Sequence, residues 1–275
     1  MKKLLFLPLI VLAIHASAQT YEYHDVPDGS TKHKPGPARS HGLDLNHIRF
    51  GAYFSPSIAW MHPVASASDD GHYHISSQGS KVGYIWGVIA EYYFAPNYGL
   101  ATGFNLNVAG GKLNADINNN ITPSSGGTVL HSGFNYRLQY LEIPFALKLR
   151  SDEFPKNGMH VFGQVGLTAG INISKKASYD VTYNDNNGIQ NHVSEDNVTL
   201  KGTFAAAPIV FQLNIGGGIE YPITEKLYFF TALFFNNGFL PSAVNPKNYD
   251  LGYKGYFTYP NIRLNTISLR VGLFF

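Results

Sequence analysis

Five charged residues stand among apolar and small neighbours: Glu91, Glu142, Lys148, Glu220 and Arg270. A carboxylate in such company can act as a general acid, or it can be neutralised by a cation. Neither Glu91 nor Glu142 has an evident nucleophile or His partner on the neighbouring segments, which counts against catalysis. A lone charge in an occluded interior is costly, so the pattern predicts pairing of the three carboxylates with Lys148 and Arg270.

Other constellations are weaker. His72-Tyr73-His74 with Asp69 and Asp70 offers imidazole and carboxylate donors for a divalent metal, but an exposed polar loop accounts for the same residues. Asn184-Asp185-Asn186-Asn187-Gly188 lacks the alternate acidic ligands and closing Glu of a calcium loop. His74-x-Ser76 and His192-x-Ser194 could pair a base with a hydroxyl, yet both fall in expected external loops. Gly216-Gly217-Gly218 has no following helix to bind phosphate, so it reads as relief of crowding within a strand. No metal, cofactor or catalytic group is therefore expected.

The elements that must position the charges are strands. Val82, Tyr84, Trp86, Val88, Ala90, Tyr92 and Phe94 share one parity, while Lys81, Gly83, Gly87 and Glu91 hold the other. Leu100, Thr102, Phe104, Leu106 and Val108 likewise oppose Gly99, Ala101, Gly103, Asn105 and Asn107. Repeating the reading predicts eight strands near 48–60, 80–94, 98–113, 134–149, 159–174, 204–221, 227–236 and 263–275. The seventh is aromatic on both parities, and its facing stays open. A soluble sandwich would carry abundant Lys, Glu, Asp and Thr on its outer face. Here the non-apolar face is Gly, Ala, Asn, Gln and Ser, which suits the tight bore of a small barrel.

Connections separate the two architectures. They are short after strands two, four and six (Ala95-Pro96-Asn97, Ser151 to Gly158, Pro222 to Lys226) and run to roughly twenty residues or more after the odd strands. Short turns on one rim and long loops on the other predict a transmembrane antiparallel up-and-down β-barrel of about eight strands, with periplasmic termini. All five interior charges then fall in the periplasmic half. Tyr179, Val181 and Tyr183 keep alternating, and Asn187-Gly188 is a type I′ turn signal, so a protruding hairpin is expected over about 175–203.

At the N-terminus Lys2 and Lys3 precede an apolar run, Leu4 to Ile14, and Ala16-Ser17-Ala18. This is the pattern of a cleaved secretory signal, residues 1–18. Residues 19–47, rich in Pro, Gly, His and Lys, offer little to bury and read as a flexible periplasmic tail before a barrel over 48–275. No later stretch reaches the ~18 apolar residues of a spanning helix. Without Lys2 and Lys3 the chain has 18 basic against 18 acidic residues, and no basic cluster dense enough for nucleic acid. With 0 Cys there is no disulfide, thiolate metal site or lipoprotein anchor.

Tyr140-Leu141-Glu142-Ile143-Pro144-Phe145-Ala146-Leu147-Lys148, the Gly-rich Val161 to Ile171 and the aromatic C-terminus resemble the PorT-like outer-membrane β-barrel family over about 48–275. The most specific residues are Tyr140, Glu142, Ile143, Pro144 and Lys148. The resemblance implies an eight-stranded outer-membrane barrel, and it suggests an accessory role in protein secretion or envelope assembly. It offers no catalytic residue to carry over. The leading expectation is a non-enzymatic barrel that anchors extracellular loops for a partner or ligand; a lipid-modifying enzyme is the other alternative. Expected partners are outer-membrane lipids, an envelope or secretion protein, and the barrel-assembly machinery, which would read the terminal Phe275.

Overall fold

The computed structural model describes residues 48–67, 71–118, 128–155, 158–200, 206–240 and 262–275, all within one compact unit. The expected signal peptide and tail lie outside these residues, as do Asp69 and Asp70. The elements are β1 (Ile48–Pro63), β2 (Tyr73–Ala95), β3 (Tyr98–Ile117), β4 (Thr128–Arg150), β5 (His160–Asn184), β6 (Gln190–Thr199), β7 (Ile209–Pro222), β8 (Tyr228–Gly238) and β9 (Ile262–Phe274). Every pairing is antiparallel. Eight strands close a ring in the order β1-β2-β3-β4-β5-β7-β8-β9, with β9 returning to β1, while β6 pairs with the outer half of β5. No helix of the described residues is long and apolar enough to cross a membrane.

Alternation decides the faces. Leu141, Ile143, Phe145, Leu147 and Leu149 point outward and exposed, whereas Tyr140, Glu142, Ala146 and Lys148 are buried inside. The outward row on β4 is about nine residues long, the length a tilted strand needs to cross a bilayer. Val82 to Phe94 on β2 and Val161 to Ile173 on β5 continue this apolar band around the wall. The facing left open on β8 is settled: Phe230, Ala232, Phe234 and Asn236 fill the bore, and Leu233 faces out.

Several strands run further than expected. β2 begins at Tyr73, β4 at Thr128, and β5 reaches Asn184, so the sheet continues past the apolar band. Register shifts at Ser77/Gly79, Gly79/Tyr84, Val129/His131 and Gln139/Tyr140 break the two-residue period there, which hides these extensions from a parity reading. His74, Ser76, His192 and Ser194 consequently lie on strands rather than in loops. The protruding hairpin is present as outer β5 with β6. Its turn, however, is not type I′: Asn187 has no positive φ, and only Gly188 does, at 79°. Asp185 Oδ1 accepts from the N–H groups of Asn187 and Ile189, and the Gly188 N–H donates to the Asp185 carbonyl. That side-chain capture selects a longer turn with one left-handed Gly.

The bore is filled. Near the short turns, Tyr53, Ile85, Ile89, Phe162, Phe230, Phe234 and Phe274 pack together. Toward the other end Met61, Ile75, Leu113, Phe134, Tyr136, Leu138, Tyr140 and Leu264 form a second core. Between them lie buried Asn105, Asn107, Gln164, Gln212, Asn214, Thr266 and Ser268. Two prolines mark local gaps in the ladder. The β1–β9 pairing skips Ser55 and Pro56, and the β3–β4 pairing skips Ile143 and Pro144, while each proline stays in register on its other side. A residue without an N–H cannot donate to both neighbours.

Candidate functional site

The short-turn end of the bore holds a compact ion network. Lys148 Nζ donates to Glu91 Oε1 at 2.6 Å and to Glu220 Oε1 at 2.5 Å, with all three side chains essentially inaccessible. The register explains the convergence: Glu91 lies across from Arg49, Lys148 from Gly99 and Gln164, and Glu220 from His160, all near the strand ends that the short turns join. Gly99, opposite Lys148, leaves room for the Tyr93 ring, whose Cδ1 and Cε1 lie 3.2 Å from where a Cβ would stand.

Arg49, which the sequence reading did not single out, is the second cation. Its guanidinium donates to Glu91 Oε2 at 2.7 Å, to Glu220 Oε1 at 2.5 Å and to the Tyr93 hydroxyl at 2.9 Å. Tyr93 in turn donates to Glu91 Oε2 at 3.1 Å, and Arg150 Nη1 approaches Glu220 Oε2 at 3.7 Å. Aromatic faces close the cluster. Arg49 lies 4.1 Å from the Phe274 ring centroid, Lys148 4.1 Å from that of Phe162, and Arg150 4.6 Å from that of Tyr93. Both oxygens of Glu91 are engaged by cations, Oε1 by Lys148 and Oε2 by Arg49.

The other two charges depart from the expectation. Glu142 belongs to a higher level of the bore, beside Leu141 at the upper end of the outward row, where Asn107 Nδ2 donates to it at 2.8 Å. It is therefore away from the short-turn end, where the five charges were expected together. β4 spends its lower turns on Lys148 and Arg150 and carries Glu142 up the wall. Arg270 forms no ion pair among the described residues. It stacks 4.3 Å from the Tyr53 ring centroid and 3.9 Å from that of Phe234, within electrostatic range of Glu142 but not paired with it. The small cavity beside it, lined by Tyr53, Ala101, Asn105, Gln164 and Arg270, has no space for a water molecule.

No metal-binding group of three or more His, Cys, Asp or Glu occurs among the described residues. Phe275 ends the outward row Ile267, Leu269, Val271, Leu273; it is exposed, and its backbone exchanges hydrogen bonds with Phe50 across the β1–β9 seam.

A closed all-antiparallel ring with an apolar outside and a polar, filled inside is what a lipid-spanning sheet requires, since an open edge would leave backbone groups unsatisfied. The family model of the outer membrane protein beta-barrel domain matches residues 37–243. The chain belongs to that outer-membrane β-barrel family. No curated protein matches it. Among solved structures, Ail of Yersinia pestis is similar at 10% identity and a TM-score of 0.35, over 83% of this chain and 97% of that chain. Neisserial surface protein A follows at 13% identity and 0.38, over 82% and 96%. The outer membrane protease OmpT from Escherichia coli is similar at 10% and 0.36, over 86% and 99%. The family match carries the assignment of this barrel to the outer membrane; the distant structural likenesses add no functional detail.

Proposed function

We propose that this outer-membrane barrel is a non-enzymatic anchor that displays an extracellular platform for a protein or ligand partner. The carrying observation is the continuation of β2, β3, β4 and β5, with β6, beyond the apolar band, supported from within by its own core of Tyr73, Ile75, Phe134, Tyr136 and Tyr179. A rigid, filled extension is suited to presenting a surface and unsuited to conducting solutes. In this reading the termini and the ion network face the periplasm, and the β5–β6 hairpin faces the medium. The Tyr140 to Lys148 motif favours the PorT-like branch of these barrels, and with it an accessory role in secretion or envelope assembly as the specific form of partner binding.

The absence of Cys makes the test clean. Asn187→Cys should react with a membrane-impermeant maleimide on intact cells, while Glu225→Cys in a short turn should react only after the outer membrane is permeabilised; the reverse pattern overturns the orientation. A photocrosslinker at Val193 or Glu195 should give one recurrent adduct in living cells that is missing when the probe sits at lipid-facing Leu233. Identical products from all three positions overturn the platform reading.

A further inference from the structure

Four cations crowd the outer face of the wall just above the apolar band, and among the described residues none of them is ion-paired. Lys112 on β3 pairs in register with Asn135, and Arg137 on β4 pairs with Gly110 on one side and Lys176 of β5 on the other. Lys112 and Arg137 keep the parity of the lipid-facing rows below them, and Lys176 comes to the same face because the register shift at Gln139/Tyr140 offsets β5 by one residue. Lys81 joins from β2. Its side chain runs across the outside of β3 at Gly110, where a Cβ would lie 3.3 Å from Lys81 Cδ, and Nζ reaches Asn135 Oδ1 at 2.9 Å and the Tyr136 carbonyl at 3.2 Å. Only a glycine at 110 lets the lysine stem lie so close to the sheet.

Among the described residues none of the four makes a salt bridge. The acidic residues on these strands stand higher: Asp116 and Asp180 lie 2.5 and 3.5 Å from the two ring nitrogens of His131, and Glu195 and Asp196 lie on β6, Glu195 opposite Tyr179. Partial burial, and the Arg137 and Lys112 charges beside it, hold the Lys81 ammonium below its ordinary range. Gathering four like charges without a counter-ion is unfavourable in the bare protein. A protein surface that tolerates this arrangement is shaped for an anion.

Height selects the anion. The last outward apolar residues are Val82, Leu141 and Ile173, directly below Lys81, Arg137 and Lys176 in sequence along the strands. At about 3.4 Å per residue on a tilted strand, the cations stand within roughly 10 Å of the hydrocarbon edge, the zone of lipid headgroups. Their apolar stems can lie along the wall while the charged ends reach laterally. We propose that Lys81, Lys112, Arg137 and Lys176 form a binding site for the phosphate of an outer-leaflet lipid headgroup, with acyl chains laid along the β3–β5 apolar rows below.

The test uses the full barrel in dodecylmaltoside, titrated with bisphosphorylated lipid A and followed by native mass spectrometry. The Lys112→Gln, Arg137→Gln, Lys176→Gln triple variant should bind at least tenfold more weakly, while Lys226→Gln, in a short turn at the opposite end, should bind as the parent does. The triple variant should keep its heat-modifiable migration, since none of its three residues contacts the bore. A Lys112→Arg, Lys176→Arg variant should retain binding, which separates lost charge from misfolding. Competition by inorganic phosphate at equal concentration would make this a free-phosphate site and overturn the lipid assignment. Stronger competition by dextran sulfate would assign it to an acidic polysaccharide, and equal lipid binding by the triple variant would remove the site altogether.

Discussion

Replacing Lys148 with Met removes the hub of the ion network while keeping most of the side-chain volume beside Phe162. The consequence can be sized from the geometry. Glu91 and Glu220 each lose a hydrogen bond of 2.5–2.6 Å to a cation and come to share Arg49, with Arg150 reaching only Glu220, in a site that is almost fully buried. Breaking a buried pair by removing one partner costs about 3–5 kcal/mol. Arg49 remains on both carboxylates and Arg150 stands 3.7 Å from Glu220, so the lower end of that range applies. Proton uptake sets a ceiling: protonating an ordinary Glu at pH 7.5 costs about 4 kcal/mol, and the strained site would do so rather than exceed it. The expected loss is therefore about 3 kcal/mol near neutral pH. Urea unfolding in detergent, read by Trp fluorescence, measures this. Adding Glu220→Gln to Lys148→Met should restore roughly half of the loss. An unchanged midpoint for Lys148→Met, or a double variant no better than the single one, would refute the claim that these charges hold each other.

Three further outcomes are expected. Deleting Phe275, or changing it to Asp, should sharply reduce heat-modifiable protein in the outer membrane and leave unassembled chain in the periplasm; normal assembly would argue against a targeting role for this terminus. Gly272→Val should destabilise the barrel by about 1–3 kcal/mol, because a Cβ there would lie 2.6 Å from Phe230 Cε1 beneath the Phe230–Phe274 ring pair, and urea midpoints would report it. Mass analysis of the membrane-extracted protein should find an N-terminus at Gln19, whereas a chain still starting at Met1 would remove the proposed signal peptide.

The barrel itself was legible because its lipid-facing rows obey period two without interruption: Val82 to Phe94 and Leu141 to Leu149 could be read as walls from residue types alone. The extensions were not, since register shifts around Gly79 and His131 move side chains off parity where the sequence also turns polar. β8 resisted reading for a different reason. Phe229, Phe230, Phe234 and Phe235 are equally apolar, and only the ring contacts of Phe230 with Phe274 and of Phe234 with Arg270 show which of them fill the bore. Arg49 was missed although its parity with Gly51 and Tyr53 marks it as inward; its partners Glu91 and Glu220 lie 42 and 171 residues away, and only ring closure brings them together. Glu142 and Arg270 show the converse limit, for parity gives the face of a residue but not its level.

The seam between β1 and β9 has a kinetic meaning. It joins the first described strand to the last, so no closed ring exists until β9 has met β1. Every other neighbour in the ring is joined through its own connection, but this pairing demands the largest loop closure in the molecule and confers nothing until it is nearly complete. It is also interrupted at Ser55 and Pro56. A chain whose other strands have paired is a curled, open sheet, its β1 and β9 edges unpaired until this seam closes.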